Sequence, residues 1–171
     1  MGRSIYPAES KAILFLLTAE EKSAPPALEA FSEILGPVEL QGPWHPFTHS
    51  HYYEQEMGKN LKRRLIGFKN IFQPHRLVEL KDLAKKCEGE KRKINVDPGY
   101  VDLFKVVLAS GKGGGMKTAL TAETFAYPIL RFEKGLWHPF AWTFPDFKEA
   151  AYHNDLLKIR EGLRKELSNR F

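Results

Sequence analysis

Lys11-Ala12-Ile13-Leu14-Phe15-Leu16-Leu17-Thr18 decides the fold. Its unbroken apolar run, bounded by polar residues, reads as a strand covered on both faces and hence as the centre of a sheet. The run is too short to span a bilayer or to form the apolar core of most signal peptides. A soluble, cytoplasmic protein without a membrane partner is the expectation.

On the C-terminal side, Pro25 and Pro26 open a helix through Leu28, Phe31, Ile34 and Leu35, stopped by Gly36-Pro37. Val38 to Phe47 is extended, with Pro43 and Pro46 marking an edge or a break. Tyr52 to Gly58 reads as a turn or short helix. Arg63 to Ile71 reads as a strand with Leu65, Phe68 and Ile71 as its apolar members. Pro74 then opens a helix through Leu77, Leu80, Leu83 and Ala84. Lys85 to Lys93 reads as a solvated turn. Ile94 and Val96 begin a strand that runs into Asp97-Pro98-Gly99, a turn signal.

Leu103 to Ala109 is apolar and β-branched and suits either a strand or a buried helix. Thr118 to Phe132 and Leu136 to Phe144 read as strands around the turn Glu133-Lys134-Gly135. Asp146 caps the last helix, and Glu149 completes a capping box. That helix carries Tyr152, Leu156, Ile159, Leu163 and Leu167 on one stripe.

This order predicts an α+β fold over one domain, residues 1–171. It is a ferredoxin-like α/β sandwich (βαββαβ) with a mostly antiparallel sheet and helices on one face, extended by a C-terminal hairpin and the closing helix. Hydrophobic residues at 43% and charged residues at 27% argue for a folded globule rather than a disordered chain. A net charge of +5 leans toward anionic partners. Cys87 is the only cysteine, which excludes an internal disulfide and suits a reducing compartment. Its neighbours Lys85 and Lys86 would lower its pKa, but without a base partner it reads as an incidental thiol.

Two strings mix carboxylate, aromatic and glycine chemistry: Tyr52-Tyr53-Glu54-Gln55-Glu56-Met57-Gly58 and Asn95-Val96-Asp97-Pro98-Gly99-Tyr100. Strand alternation puts Asn95 and Asp97 on one side, where the pair could hold a cation, accept from a hydroxyl or orient a water. The plainer reading is a turn in which Asp97 bonds its own backbone. Helical spacing puts Tyr52 and Glu56 on one face. His49-Ser50-His51 lacks a third ligand at diagnostic spacing, so no metal site is assigned. Gly111, Lys117 and Thr118 match part of a phosphate-loop pattern, but Met116 stands where glycine is required. What remains is a glycine-rich loop with two lysines, Lys112 and Lys117, fit to meet an anion.

The strings Tyr-Tyr-x-x-Glu-Met-Gly, Leu61-Lys62-Arg63-Arg64, Asn-x-Asp-Pro-Gly-Tyr and Trp142-Thr143-Phe144-Pro145-Asp146 occur in order over nearly the whole chain. In them the chain resembles a bacterial family catalogued as domain of unknown function 4416. The resemblance implies a single-domain bacterial protein and no established activity, although some relatives carry a GTP-binding label. The family tends to show His-Arg where this chain has Met116-Lys117, and Gly-Ile-Tyr-Ala-Glu where it has Glu123-Thr124-Phe125-Ala126-Tyr127. A histidine and a glutamate are thus absent from positions that could serve a site.

The leading functional expectation is a domain that binds a small anionic, phosphorylated ligand, nucleotides included. Arg63, Arg64, Lys112 and Lys117 would neutralise it. Asn95, Asp97 and Glu56 would contact hydroxyls or a bridging magnesium, Tyr52, Tyr100 or Trp142 would stack on it, and Tyr53 and Asp146 are further ligand-binding candidates. Two alternatives stand beside this. One is a hydrolase or transferase with Glu56 and Asp97 as its acid–base pair, which requires both carboxyl groups to converge on one cleft. The other is an RNA-binding or protein-interaction module served by the basic clusters Lys59 to Arg64 and Lys91 to Lys93.

Overall fold

The computed structural model describes residues 9–170. Strand β1 (Ser10–Thr18) is buried along its whole length and lies between two antiparallel neighbours, β4 (Lys62–Phe72) and β5 (Ile94–Val101). The remaining strands are β2 (Val38–Gln41), β3 (His45–Pro46), β6 (Lys105–Ser110), β7 (Thr118–Ala119), β8 (Phe125–Glu133) and β9 (Leu136–Pro139). They form one nine-stranded sheet in the order β2-β4-β1-β5-β6-β8-β7, with β3 on β4 and β9 on β8. Every pairing among the described residues is antiparallel.

The helices are α1 (Ala24–Leu35), α2 (Glu54–Met57), α3 (Leu77–Glu88), α4 (Pro145–Lys148) and α5 (His153–Ser168). The α1 residues Ala27 and Phe31 and the α3 residues Leu77, Leu80 and Ala84 pack on the sheet face that carries Ala12, Leu14 and Leu16. The α5 residues Leu156 and Ile159, with Phe147 and Tyr152, pack on the face that carries Ile13 and Phe15. Helices therefore cover both faces, not one. The reason lies in β1 itself: odd and even positions are equally apolar, so each face needs its own cover. Lys11 is the exception to that apolarity. Its ammonium reaches the Glu166 carboxylate on α5 at 2.7 Å, which fastens the last helix to the central strand.

Several sequence expectations are corrected. Lys85 to Glu88 belong to the last turn of α3 rather than to a solvated turn. Leu103 to Ala109 resolves as strand β6. The long strand expected from Thr118 is two strands folded on each other, β7 and β8, joined where Leu120 and Thr121 N–H groups both donate to the Thr124 carbonyl. The strand after the turn ends at Pro139. Lys134 and Gly135 both have positive φ, 50° and 82°, as a two-residue hairpin turn with right-handed strand twist demands.

The most consequential correction is Asp97-Pro98-Gly99. It is not a turn but the middle of β5, with Asp97, Pro98 and Gly99 opposite Phe15, Leu14 and Ile13 of β1. On its other side β5 pairs with β6 only from Gly99 to Val101. Pro98 thus sits where that edge loses its strand partner, the position a residue without an N–H tolerates. Gly99 is required there by close approach: a Cβ would lie 2.3 Å from the Val107 carbonyl oxygen and 2.7 Å from Leu108 Cδ2. Beyond this point β5 and β6 separate.

Two measurements test this packing. Gly99→Ala should lower stability by about 2–3 kcal/mol, read from the urea midpoint, because backbone cannot retreat as a flexible side chain could. Burial pushes the Tyr100 and Tyr152 phenols up to about 12. A raised folded value means the neutral phenol is favoured in the fold, so its contribution is complete below the ordinary value of 10.0 and lost as pH climbs to about 12. Stability should fall by about 2 kcal/mol per tyrosine across that window, and Tyr100→Phe with Tyr152→Phe should flatten the profile.

Candidate functional site

The parting of β5 and β6 opens a cavity of about 570 Å³. Asn95 and Asp97 line one bank of the gap, and Ala109, Ser110 and Gly111 line the other. The cavity also passes between the two faces of the sheet. Lys81, Lys85 and Glu88 enter it from α3, while Arg63, Asp146 and Phe147 belong to the side covered by α5. Segment 47–53, with Phe47, His49, Tyr52 and Tyr53, forms a third wall. The volume lies in the usual range for small-molecule sites.

The strand edge left open by β6 is not left unsatisfied. Val96 N–H donates to Glu88 Oε1 at 2.8 Å. Glu88 is mostly buried, which raises its pKa, and the hydrogen bond from Val96 partly offsets that rise. Arg92 ties this corner together. It donates to both Glu56 oxygens at 3.1 and 2.7 Å, to Asn95 Oδ1 at 3.0 Å, and lies 3.5 Å from Glu88. Asn95 Nδ2 in turn donates to Asp97 Oδ2 at 2.8 Å.

Arg63 forms the floor. It is buried, ion-paired with the buried Asp146, 3.7 Å from Asp97, and sandwiched between the Phe47 and Phe147 rings at 4.8 and 4.9 Å. Asp146 is therefore not a helix cap. Its carboxylate is turned inward to the guanidinium, and no side-chain cap bond forms on α4 or α5. Once Arg63 is buried it needs a counter-charge, and Asp146 supplies it instead of capping a helix.

Six cationic side chains line the cavity against three carboxylates. Arg63 and Arg92 are paired as above, and Lys85 lies 3.5 Å from Glu123. Among the described residues, Lys81, Lys112 and Lys117 have no carboxylate partner. Lys112 donates to the Tyr52 hydroxyl at 2.7 Å and lies over that ring. Lys117 donates to Ser110 Oγ at 3.0 Å and to the Lys112 carbonyl at 2.9 Å. Burial lowers the Lys117 pKa, and the neighbouring Lys112 and Lys81 charges lower it further, against the pull of Asp97. Lys81 is 8% exposed and makes no hydrogen bond or ion pair among the described residues. Tyr53 titrates above its ordinary value, first because it is buried and then because Asp97 is near.

Of the residues singled out from sequence, Tyr52, Tyr53, Arg63, Asn95, Asp97, Lys112, Lys117 and Asp146 line this cavity. Four lie elsewhere. Glu56 sits on α2 outside the lining, with its carboxylate held by Arg92 and its pKa lowered by that bond. Arg64 lies over Trp44 at 4.8 Å. Tyr100 is buried in the core beneath α1 and α3. Trp142 is stacked on Phe140 at 4.6 Å and donates to the Pro128 carbonyl at 3.0 Å. The glycine loop leads from β6 into β7 and not into a helix, so the phosphate-loop geometry is absent. Cys87 titrates high rather than low, because burial and then Glu88 outweigh the flanking lysines. No group of three or more His, Cys, Asp or Glu among the described residues is placed to hold a metal ion.

Sequence reading missed Lys81, Glu88, Arg92, Tyr127 and Phe144. One signal was available for Lys81. It stands four residues after Leu77, on the apolar side of α3, where a lysine needs a reason.

Removing one partner of the Arg63–Asp146 pair should cost far more than removing both. Arg63→Met alone should cost about 3–5 kcal/mol, because it strands a buried carboxylate. Adding Asp146→Leu should restore most of that loss in denaturant titrations of the single and double variants.

No curated protein and no solved structure matches this chain. Residues 8–162 do match one family, described as Domain of unknown function (DUF4416). The match spans nearly the whole length, and the chain belongs to that family.

Proposed function

We propose that this protein binds a small phosphorylated anion in the cavity between β5 and β6. The observation that carries the reading is the set of three lysines, Lys81, Lys112 and Lys117, which line one cavity without a carboxylate partner among the described residues. Lys81 weighs most, since its stem is nearly buried in the wall while its ammonium, reached by solvent, has no ion-pair partner and is held at the cavity. Asn95, Asp97 and Tyr53 offer hydroxyl-binding groups on the facing bank, and the Tyr127 and Phe144 rings offer apolar surface. Nucleotides and sugar phosphates both belong to the class that this mixture suits.

Asp97, rather than Glu56, is the carboxylate presented to a ligand, so acid–base chemistry at this site would rest on it. The strand order β2-β4-β1-β5, with α1 and α3 as the intervening helices, supports reading the first part of the chain as a ferredoxin-like βαββαβ unit. Strands β6 to β9 and α5 are then additions, and the binding cavity lies along the seam between unit and addition.

Thermal unfolding monitored across a panel of inorganic phosphate, nucleotides and sugar phosphates tests the reading. At a hundredfold excess over Kd, a bound member should stabilise by about 2.7 kcal/mol. Lys81→Met should leave the melting temperature of the free protein little changed while abolishing the response to ligand. A phosphate response of equal size in Lys81→Met would overturn the assignment.

A further inference from the structure

The three unpaired lysines are not equivalent, and their differences point beyond charge neutralisation. Lys112 is exposed and engaged with Tyr52. Lys81 is buried under the glycine loop, its Cε 3.7 Å from where a Cβ on Gly111 would stand. Lys117 is the one whose nitrogen is held in place. Its two acceptors are the Lys112 carbonyl at 2.9 Å and Ser110 Oγ at 3.0 Å, and the Tyr127 and Phe144 rings flank it at 5.1 and 5.9 Å.

We propose that Lys117 is a nucleophilic amine that condenses with the carbonyl group of a small phosphorylated aldehyde or ketone bound in this cavity. The proposal rests on the anion-binding reading above and names the substrate class of that site.

The geometry suits an uncharged amine. A neutral ε-amine has two N–H bonds and one lone pair. Both N–H bonds have acceptors here, and the remaining position on nitrogen carries the lone pair. The groups facing Lys117 are Lys112 and Ser110 from its own loop and β6, Lys81 from α3, Asp97 from β5, Tyr127 from β8 and Phe144 ahead of α4. Two of these are ammonium groups, which oppose a third positive charge, while the two rings keep water from the nitrogen. This is the setting that activates lysine toward carbonyl compounds: desolvation beside another cation. Burial and the two ammonium groups lower the Lys117 pKa accordingly.

The step balances without a further reactant. The nitrogen lone pair adds to the carbonyl carbon, and one amine proton passes to the carbonyl oxygen, which becomes a hydroxyl. Asp97 accepts the second amine proton and returns it to the departing hydroxyl. Water leaves and a carbon–nitrogen double bond remains. Lys81 and Lys112 hold the phosphate meanwhile, so the reacting carbon is delivered rather than met by chance.

Borohydride trapping tests this, because hydride reduces the imine to a stable secondary amine. The probe is pyridoxal phosphate, with pyridoxal as the comparison that lacks the anion, and peptide mapping by mass spectrometry locates the adduct. In the unaltered protein the principal adduct should lie on Lys117, with labelling by pyridoxal weaker by about tenfold, the worth of one charge-assisted contact. Inorganic phosphate should suppress it. Lys117→Arg should abolish that adduct. Lys93→Arg, at an exposed lysine outside the cavity, should retain the adduct on Lys117.

Labelling spread over exposed lysines, or labelling unchanged by Lys117→Arg, overturns the proposal. If phosphate still stabilises the protein in that case, the anion site stands and only its carbonyl chemistry falls. If phosphate has no effect either, both readings fall together.

Discussion

The site depends on where β5 and β6 cease to pair. Gly99 admits β6 so closely that the Val107 carbonyl occupies the space a side chain would need, and one residue earlier Pro98 withholds an N–H. A sheet that is continuous at Gly99 is open at Asp97. The gap costs little because the exposed edge is not abandoned: Glu88 takes the Val96 N–H from across the opening. What would be a structural defect elsewhere becomes a passage lined from both faces, with α3 above and Arg63 below.

Charge is then arranged in two tiers. In the lower tier the charges are paired. Arg63 and Asp146 neutralise each other between two aromatic rings, and Arg92 joins Glu56, Glu88 and Asn95. Such networks fix geometry more reliably than they add stability. The upper tier, Lys81, Lys112 and Lys117, has no such balance. Its mutual repulsion is carried by the rest of the fold, in line with the tendency of binding sites to be locally destabilising.

Much of this was legible in the residues, for identifiable reasons. The central position of β1 followed from its unbroken apolarity, because only burial on both sides tolerates that pattern. The convergence of the tyrosine segment with Asn95 and Asp97 was anticipated from their chemistry, and the structure lines one cavity with both. The errors came from local rules overruled at long range. Asp-Pro-Gly has turn chemistry in isolation, yet register against β1 carries it straight through. Asp146 with Glu149 copies a capping box, but a buried arginine on a distant strand claims the aspartate. Glu88 and Arg92 looked like solvated charges because nothing in a hydrophilic stretch records that a strand edge opposite needs an acceptor. Lys81 was hidden by its company, one charge among leucines.

The contact between Lys112 and Tyr52 has a bearing on how the cavity is occupied. A phenol whose oxygen accepts from an ammonium is polarised, and its own proton becomes the better donor. Segment 47–53, where it lies against the glycine loop, therefore brings an extra hand to any oxyanion that arrives. Occupancy should tighten the segment, and tightening the segment should raise affinity by the same free energy, since the two are linked through one shared proton donor and thermodynamics makes such links run both ways.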